Sequence, residues 1–420
     1  MSRFNKIKNH SVTRNASALG IMQIANYATP LLLLPFLTHQ LGIVAFGIVA
    51  ITLAAIQLAF ILTDYGFSLS ATYAISVRRD DVEFINRKIG AVFGAKIILV
   101  FILLLTTLTT FILYPKLSAY IHYFLIGLLA SIAQAFQPIW LFQGVERMKN
   151  ITIYTVATKL IYALLVLTLV RAPGDAILVI YCWGFAQFIG LLASIHFMHK
   201  EGYKISWPCG RAIIEEFKDG AQFFWSRLAV AMYTSASTLI VGTHSTTQAA
   251  HFALCEQIYK AGQNVTAPIN NAMFPYMAKH KNWRAFYKTL IATGLILTAG
   301  CIFLSFFSDT LLITLFGKEY LSASSILLVF LCTTVVNYFT VTFGYSAFAA
   351  LGNIGIANTS VIAGAIIHVI ILVVLYSHAE INAFNVALSI LFTETLVMCI
   401  RLTAFVILKN KIRTSATSNA

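Results

Sequence analysis

The sequence predicts an all-α integral membrane protein with about twelve transmembrane helices, arranged as two six-helix lobes around a central cavity. Hydrophobic residues make up 59% of the 420 residues, charged residues only 10%, and the mean hydropathy is +0.81. Soluble domains carry about 25% charged residues, so most of this surface must face lipid. Apolar runs long enough to cross a bilayer recur along the whole chain, with short polar gaps between them.

The first half of the chain contains six apolar runs, each near the roughly 20 residues that a helix needs to cross a hydrocarbon core. The polar, basic segment 1–15 leads directly into the first run, which is too long for a signal-peptide core and lacks a convincing cleavage site. We therefore expect that run to be retained as the first span. The predicted spans cover residues 16–38, 43–76, 89–113, 118–142, 151–170 and 176–198.

The second half contains six further runs, and a polar stretch at the midpoint separates the two sets. These spans are predicted at residues 220–241, 247–277, 286–307, 322–350, 355–376 and 383–407. The predicted organisation is an N-terminal six-helix lobe over residues 1–199, a cytoplasmic linker over 200–219, and a C-terminal six-helix lobe with a short cytoplasmic tail over 220–420.

The two halves show a faint repeat. The short outer turn Thr38–Gly42 corresponds to Gly242–Thr246, and in each half the long span that follows ends at a basic cluster. With six spans in each half, the repeats are parallel rather than inverted. Parallel repeats are typical of transporters in which two lobes alternate access to a central cavity.

Basic residues outnumber acidic ones by 29 to 15, giving a formal net charge of +14. Nucleic-acid-binding proteins concentrate such charge on one folded face. Here nearly all of it lies in the gaps between spans, so nucleic acid is excluded as a partner. Basic residues accumulate on the cytoplasmic side of membrane proteins. Only Lys116, Arg171 and Lys318 fall on the opposite side of the predicted topology, which places both termini in the cytoplasm.

No enzyme signature is present in the sequence. The six cysteines show no CxxC or His-paired spacing, so neither a disulfide framework nor a metal site is predicted. The nucleotide-binding GxxxxGKS/T motif and the HExxH and GxSxG motifs are absent. We therefore predict a protein that is not an enzyme and needs no cofactor. Any energy for transport would come from an ion gradient or from the gradient of the substrate itself.

Ionisable residues inside the predicted spans are the strongest candidates for function, because a charge in lipid is costly and usually faces a cavity or a partner. Most of them are basic, so the interior carries a net positive charge that suits an anionic substrate. These residues are Asp64, Lys96, Lys159, Arg227, Glu256, Lys260, Glu394 and Arg401. We predict a cationic, substrate-binding cavity formed by Arg227, Lys260, Lys159 and Lys96.

Simpler roles compete for the same residues. Lys96, Lys159 and Arg401 lie within reach of the cytoplasmic surface, where long basic side chains can extend to water. Glu256 precedes Lys260 by four residues on one helical face, in the orientation that favours an ion pair. The two charges could therefore simply neutralise each other.

Two stretches resemble motifs of a known family. Residues 138–148, PIWLFQGVERM, look like the WLFQG stretch that follows span four in Wzx-type O-antigen flippases, in the polysaccharide-transporter branch of the MATE-like (MOP) superfamily. Residues 63–72, TDYGFSLSAT, are similar to that family's DFG-containing stretch near the end of span two, with Tyr65 in place of the family's Phe. Span count, repeat and termini extend the resemblance over essentially the whole chain.

This resemblance implies a flippase in the inner membrane of a Gram-negative bacterium. Such a protein moves undecaprenyl-pyrophosphate-linked repeat units from the cytoplasmic to the periplasmic leaflet, and Arg227 and Lys260 are the candidate cavity cations. Exchange with protons or other cations in relatives makes Asp64, Glu256 and Glu394 candidate ion-coupling residues. The implied partners are the lipid-linked oligosaccharide, membrane lipids, a polysaccharide polymerase and a chain-length regulator.

Two other functions stay open at this point. A MATE-like drug or cation antiporter would share the fold but is not expected to carry the WLFQG stretch. A membrane-bound polysaccharide polymerase or glycosyltransferase commonly needs a sizeable loop outside the membrane. The longest outer gap, Ser308–Leu321, is too short for a catalytic domain.

Overall fold

The computed structural model describes residues 2–113 and 120–418, so the predicted turn around Lys116 lies outside the described residues. Within those ranges the secondary structure is helical and contains no β-strand. The helices are α1 Ser2–Asp64, α2 Phe67–Val77, α3 Val82–Leu113, α4 Ile121–Ala135, α5 Ile139–Gly144, α6 Met148–Leu169, α7 Ala176–Lys200, α8 Gly210–Met232, α9 Ser235–His244, α10 Thr246–His280, α11 Trp283–Phe306, α12 Ser308–Phe316, α13 Ser324–Val341, α14 Ala347–Leu351, α15 Gly355–Ser377 and α16 Ala383–Ser418. The predicted all-α class is confirmed.

Nine segments among the described residues are long and apolar enough to cross a membrane. Large apolar side chains cover their outer surfaces, as contact with lipid requires; Leu32 is 76% exposed and Phe306 is 82% exposed. The chain is therefore an integral, multi-pass membrane protein. The segments are Gly20–Asp64, Val82–Leu113, Ile121–Gly144, Met148–Leu169, Pro173–Lys200, Trp283–Phe306, Lys318–Leu351, Gly355–Ser377 and Ala383–Lys411.

The first of these segments covers most of the predicted span 16–38 and the first part of the span 43–76, and Gly42 interrupts α1 between them with φ 67° and ψ 174°. The predicted spans at 220–241 and 247–277 fall on α8–α9 and on α10, which are helical but more polar than the nine segments. Most described residues of the predicted spans are thus helical, with breaks at 65–66, 136–138 and 233–234. The number of helices that cross the membrane stays a prediction.

The described residues form two compact units. Each has its own core of buried apolar side chains, which includes Phe67 and Trp140 in unit 1 and Phe286 and Phe348 in unit 2. The predicted lobe and linker boundaries stay a prediction. Unit 1 consists of Met1–Ala45 and Ile51–Ala231, and unit 2 of Phe46–Ala50 and Met232–Ala420.

The two motif-bearing segments pack against each other within unit 1. Thr72 Oγ1 on α2 donates a hydrogen bond to the carbonyl of Trp140 on α5, at 3.2 Å. A Cβ on Gly144 would lie 2.7 Å from an α2 side chain, so only glycine allows this approach. Just beyond the two helices, Arg79 and Glu146 form an ion pair at 2.9 Å. The two stretches that carry the family resemblance therefore form one structural element.

The segment between α7 and α8 lies along α3 in unit 1. The N–H of Lys204 donates to Asn86 Oδ1 at 2.8 Å, and a Cβ on Gly90 would overlap the backbone of this segment. At the start of α8, Glu216 forms an ion pair with Lys88 at 2.6 Å. Burial raises the pKa of the Glu216 carboxyl, and the nearby ammonium of Lys88 lowers it by a smaller amount. These contacts fix the position from which α8 continues.

Candidate functional site

Asp64 lies where α1 ends, inside the second motif. The backbone turns there, since Tyr65 and Gly66 both have positive φ, 46° and 81°. The Asp64 side chain is only 1% exposed, in the interior of unit 1. One helical turn later, Ser68 Oγ donates a hydrogen bond to Asp64 Oδ1 at 2.5 Å. A buried carboxylate needs such donors because an unpaired charge in a low dielectric is very costly.

The turn after Asp64 is in close contact with α8. A Cβ on Gly66 would lie 2.7 Å from the carbonyl oxygen of Gly220, and a Cβ on Gly220 would lie 2.7 Å from that of Tyr65. The Tyr65 ring also stacks on Phe224, with centroids 4.5 Å apart. Glycine is required at both positions, and the close approach brings the next two turns of α8 past the buried carboxylate.

Two basic side chains meet the Asp64 carboxylate. Arg227 on α8 forms an ion pair through Nη1 with Oδ2. Lys96 Nζ lies 3.7 Å from Oδ1 and donates a hydrogen bond to the carbonyl of Ala135 at 2.5 Å. Lys96 is 1% exposed, so its side chain does not extend to the membrane surface. Asp64, Lys96 and Arg227, hereafter the Asp64 cluster, carry a net charge of +1 when all three are ionised.

The carbonyl oxygen of Ala135, which accepts the hydrogen bond from Lys96, lies just before the first motif. Ala135 ends α4, and the last carbonyls of a helix lack intrahelical partners. Pro138 has no N–H, and the N–H of Ile139 bonds to the carbonyl of Gln137 instead. The carbonyl of Ala135 is therefore available to the ammonium. The second motif thus supplies Asp64, and the first two residues of the first motif leave the Ala135 carbonyl available to Lys96.

Arg227 is the exposed member of the Asp64 cluster. Its side chain is 31% exposed, whereas those of Asp64 and Lys96 are each 1% exposed. A guanidinium has five N–H donors in a planar fork, which suits the two oxygens of a phosphate or carboxylate. Nη1 is engaged by Asp64, and the Arg227 side chain as a whole is only partly buried. The cluster therefore holds a partly exposed cation in place, and its contact with an anionic substrate stays a prediction.

Lys159 contacts an aromatic ring rather than a carboxylate. Its Nζ lies 4.4 Å from the ring centroid of Trp183, within the range of a cation–π interaction. Among the described residues it forms no ion pair with an acidic side chain. Its role in substrate binding stays a prediction.

In unit 2, Glu256 and Lys260 form the ion pair that their spacing allows. Lys260 Nζ lies 2.8 Å from Glu256 Oε1, and Thr238 Oγ1 donates to Oε2 at 3.3 Å. The carboxylate is buried, with 6% of its side chain exposed, whereas the lysine side chain is 35% exposed. This geometry fits mutual neutralisation and also leaves the ammonium accessible to an anion. The substrate-binding role of Lys260 stays a prediction.

Arg401 is buried, and its guanidinium N–H groups donate hydrogen bonds to acceptors within unit 2. Nε donates to Ser360 Oγ, Nη1 to the carbonyl of Thr340 and Nη2 to the carbonyl of Ala357, at 2.9, 2.6 and 2.9 Å. Only 4% of the residue is exposed, so it does not extend to water. Arg401 instead joins α13, α15 and α16.

Glu394 lies near one end of a partly buried hydrogen-bond chain in unit 2. The side chain of Asn337 lies close to it, and Asn337 Oδ1 accepts from Gln263 Nε2 at 3.0 Å. Gln263 also donates to the hydroxyl of Tyr259 at 2.8 Å. Glu394 is 6% exposed. Its predicted role in ion coupling stays a prediction.

Of the residues predicted for the site, Asp64, Lys96 and Arg227 meet in unit 1, and Glu256 and Lys260 meet in unit 2. Lys159 and Glu394 each have other partners. The prediction missed Ser68 and the carbonyl of Ala135. Ser68 could have been found from its spacing of four residues after Asp64, whereas the carbonyl becomes identifiable only once the fold is known.

Solved structures with a similar fold are membrane transporters. The lipid II flippase MurJ, in an inward closed conformation, aligns with a TM-score of 0.69 at 13% identity, covering 93% of this chain and 87% of that chain. An outward-facing multidrug resistance MATE family transporter of the MOP superfamily aligns with a TM-score of 0.60 at 14% identity, covering 96% of each chain. The chain therefore shares the fold of the MATE-like membrane transporters.

Sequence comparison identifies the family within that class. A protein of Shigella dysenteriae named "Putative O-antigen transporter" is 29% identical over 401 residues, which are 93% of this chain and 99% of that protein. A protein of Escherichia coli K12 with the same name is 26% identical over 268 residues, 63% of this chain and 64% of that protein. The profile of the polysaccharide biosynthesis protein family matches residues 12–281. The chain belongs to this family, which confirms both the resemblance and the prediction of a transporter that is not an enzyme.

Proposed function

We propose that the chain is a flippase for lipid-linked oligosaccharides. Its substrate is an undecaprenyl-pyrophosphate-linked O-antigen repeat unit, which it moves from the cytoplasmic to the periplasmic leaflet by alternating access of two lobes. The observation that carries the proposal is the exposed guanidinium of Arg227, held by a buried carboxylate, because a pyrophosphate is an anion that such a fork binds well. The O-antigen transporter relatives and the lipid II flippase fold support a lipid-linked substrate.

In this proposal the basic and acidic residues inside the membrane have different roles. Arg227, Lys96, Lys260 and Lys159 make the binding cavity cationic. Asp64 competes with the substrate phosphate for Arg227, so the carboxylate and the substrate are coupled through one guanidinium, which makes Asp64 an ion-coupling candidate. Glu256 and Glu394 are the further ion-coupling candidates, because they too are buried carboxyl groups.

We place the protein in the inner membrane of a Gram-negative bacterium, with both termini and the 200–219 linker in the cytoplasm. The bias of basic residues toward one side of the predicted topology supports this orientation. The flipped repeat unit would then reach a polysaccharide polymerase and a chain-length regulator, which are the proposed protein partners.

Reconstitution tests the function directly. The purified protein is placed in liposomes with an undecaprenyl-pyrophosphate-linked saccharide that carries a fluorescent nitrobenzoxadiazole label in both leaflets. Dithionite added outside quenches only the outer label, so flipping should raise the quenched fraction above that of protein-free liposomes. An unlinked undecaprenyl phosphate carrying the same label serves as the control for the saccharide.

Two results would contradict the proposal. Failure to flip any labelled lipid, in liposomes that export a lipophilic organic cation against a proton gradient, would favour a MATE-like antiporter. Elongation of the saccharide in the same liposomes would favour the polymerase alternative.

A double-mutant cycle separates the two roles of the Glu256–Lys260 pair. Lys260→Gln strands a buried carboxylate and should cost about 3–5 kcal/mol of stability. Glu256→Gln should cost less, because water still reaches the ammonium, whose side chain is 35% exposed. The double variant Glu256→Gln, Lys260→Gln should recover the membrane abundance of the wild type. If Lys260 binds substrate, the double variant should still fail to transport.

Abundance and surface-glycan display are measured separately in this cycle. Low display at normal abundance assigns Lys260 to the binding site. Full display from the double variant would remove Lys260 from the binding site and leave neutralisation as the role of the pair.

A further inference from the structure

His368 lies in the interior of unit 2, on α15, with none of its surface exposed. Its Nε2 lies 3.1 Å from Ser237 Oγ on α9. Its Nδ1 lies 3.5 Å from Ser389 Oγ and 3.4 Å from Thr393 Oγ1, both on α16. The ring of Tyr233 stands edge-on to the imidazole, with centroids 6.2 Å apart. A titratable group is thus enclosed by three hydroxyls from two neighbouring helices.

The hydrogen-bond pattern indicates which nitrogen of this imidazole carries a proton. Ser389 Oγ donates to the carbonyl of Val386 at 2.7 Å, and Thr393 Oγ1 donates to that of Ser389 at 2.8 Å. Each hydroxyl has one hydrogen, so both can only accept from Nδ1, which therefore carries the proton. In the neutral ring Nε2 is then the acceptor, and Ser237 Oγ donates to it.

The surroundings of the ring lack a compensating anion. Among the described residues, no carboxylate contacts the imidazole, and Tyr233 is the titratable side chain whose ring packs on it. A second proton would therefore place an unpaired positive charge in the interior, which is costly unless the surroundings change. The other titratable or charged groups on the elements around it include His244 on α9, Glu256, Tyr259 and Lys260 on α10, Tyr345 between α13 and α14, Tyr376 and His378 at the end of α15, and Glu394 and Arg401 on α16.

The hydroxyl that faces Nε2 is carried by a short helix that follows a break. α8 ends at Met232 and α9 begins at Ser235, and Thr234 between them has φ −114° and ψ −97°. This break comes directly after Ala231, where the chain passes from unit 1 to unit 2. Residues at the ends of elements are where backbone hinges absorb changes in φ and ψ. A change in the hydrogen-bond partner of Ser237 therefore occurs close to this break, which is also close to the unit boundary in the sequence.

We propose that His368 is a proton-binding site of unit 2 whose occupancy biases the α8–α9 joint. A proton from water adds to the Nε2 lone pair and converts the imidazole to an imidazolium. The new N–H then donates to Ser237 Oγ, whose own hydrogen must turn to another acceptor, such as the carbonyl one turn earlier that helical serines commonly use. The charged ring favours a position of α9 that admits water. The coupling of this step to transport rests on the proposed function, whereas proton binding itself does not.

A proton count on the purified full-length protein in detergent tests the site. Wild type, His368→Gln and the matched control His378→Gln are titrated from about pH 8 to about pH 3, a range that extends well below the ordinary histidine pKa because the buried imidazolium is costly. His378 is exposed, so His378→Gln controls for the loss of a histidine outside the buried site. His368→Gln should bind fewer protons than wild type over this range, approaching one fewer at its acid end. An equal proton count for His368→Gln and wild type would overturn the proposal and leave His368 as a neutral link between helices.

A second pair of variants guards against loss of folding in His368→Gln. Ser237→Asp places a carboxylate beside Nε2 and should raise the midpoint of proton uptake by about 1–3 pH units, whereas Ser237→Ala removes the hydroxyl without adding charge. The amide hydrogen-exchange rate of α9, corrected for the pH dependence of intrinsic exchange, should increase on acidification in wild type. In Ser237→Asp the same increase should occur at a higher pH. The same exchange profile in all variants would contradict the proposal. Because neither measurement uses transport, failure of flipping alone would disprove the proposed function and leave this site intact.

Discussion

Replacing Arg227 by alanine should abolish transport while leaving the abundance of the protein in the membrane close to that of wild type. The guanidinium is the exposed member of the Asp64 cluster, with 31% of its side chain exposed. When it is removed, the Asp64 carboxylate keeps the Lys96 ammonium at 3.7 Å and the hydroxyl of Ser68 at 2.5 Å. The buried charge therefore stays compensated, and the main loss is the contact with the anionic substrate.

Flipping in liposomes and surface-glycan display, each normalised to protein amount, measure this effect. Arg227→Lys should retain part of the activity, because it keeps the charge but loses the planar fork that matches a phosphate. Arg211→Ala on the same helix is the matched control, since that side chain is 90% exposed and pairs with Glu215 at 3.4 Å. Wild-type flipping by Arg227→Ala would remove this residue from the binding site.

Helix positions could be predicted well from this sequence, because the length of an apolar run and the side on which basic residues collect both reflect the bilayer itself. The predicted outer turn at Thr38–Gly42 coincides with the interruption of α1, where Gly42 has φ 67°.

The breaks inside spans were not predicted. The span at 43–76 is divided after Asp64 and the span at 220–241 is divided at Thr234. Polar residues such as Asp64 and Thr234 stand at these points, but single polar residues do not mark a break by themselves, because tertiary contacts decide where the backbone leaves the helix.

The sequence was enough to identify each charged residue of the candidate site. It was enough to predict an ion pair only where the two partners are close in the chain. Glu256 and Lys260 are four residues apart, so their ion pair follows from helical spacing. Asp64 and Arg227 are 163 residues apart, and no periodic pattern connects them. The close approach of two backbone segments at Gly66 brings them together, and such an approach is a property of the folded chain.

Asp64→Asn should have the largest effect on stability of any single substitution in the Asp64 cluster. Lys96, with 1% of its side chain exposed, would lose its counter-charge and keep only the carbonyl of Ala135 as a partner. Removing one partner of a buried ion pair costs about 3–5 kcal/mol, a large share of a typical stability of about 5–15 kcal/mol. Membrane abundance and the midpoint of thermal unfolding in detergent should both fall. Adding Lys96→Gln should restore much of the abundance and much of the unfolding midpoint, because no buried charge is then left unpaired.

The exposed pair of Glu215 with Arg211 provides the control for this comparison. Glu215→Gln removes the same formal charge from a pair whose side chains are 61% and 90% exposed, and ion pairs one turn apart on a helix contribute about 0.3–0.5 kcal/mol. Its abundance should match that of wild type. Rescue by the second substitution would show that the loss comes from the stranded ammonium and not from the amide at position 64. Normal abundance of Asp64→Asn alone would contradict the ion pair, because it would mean that the folded protein tolerates Lys96 without a counter-charge.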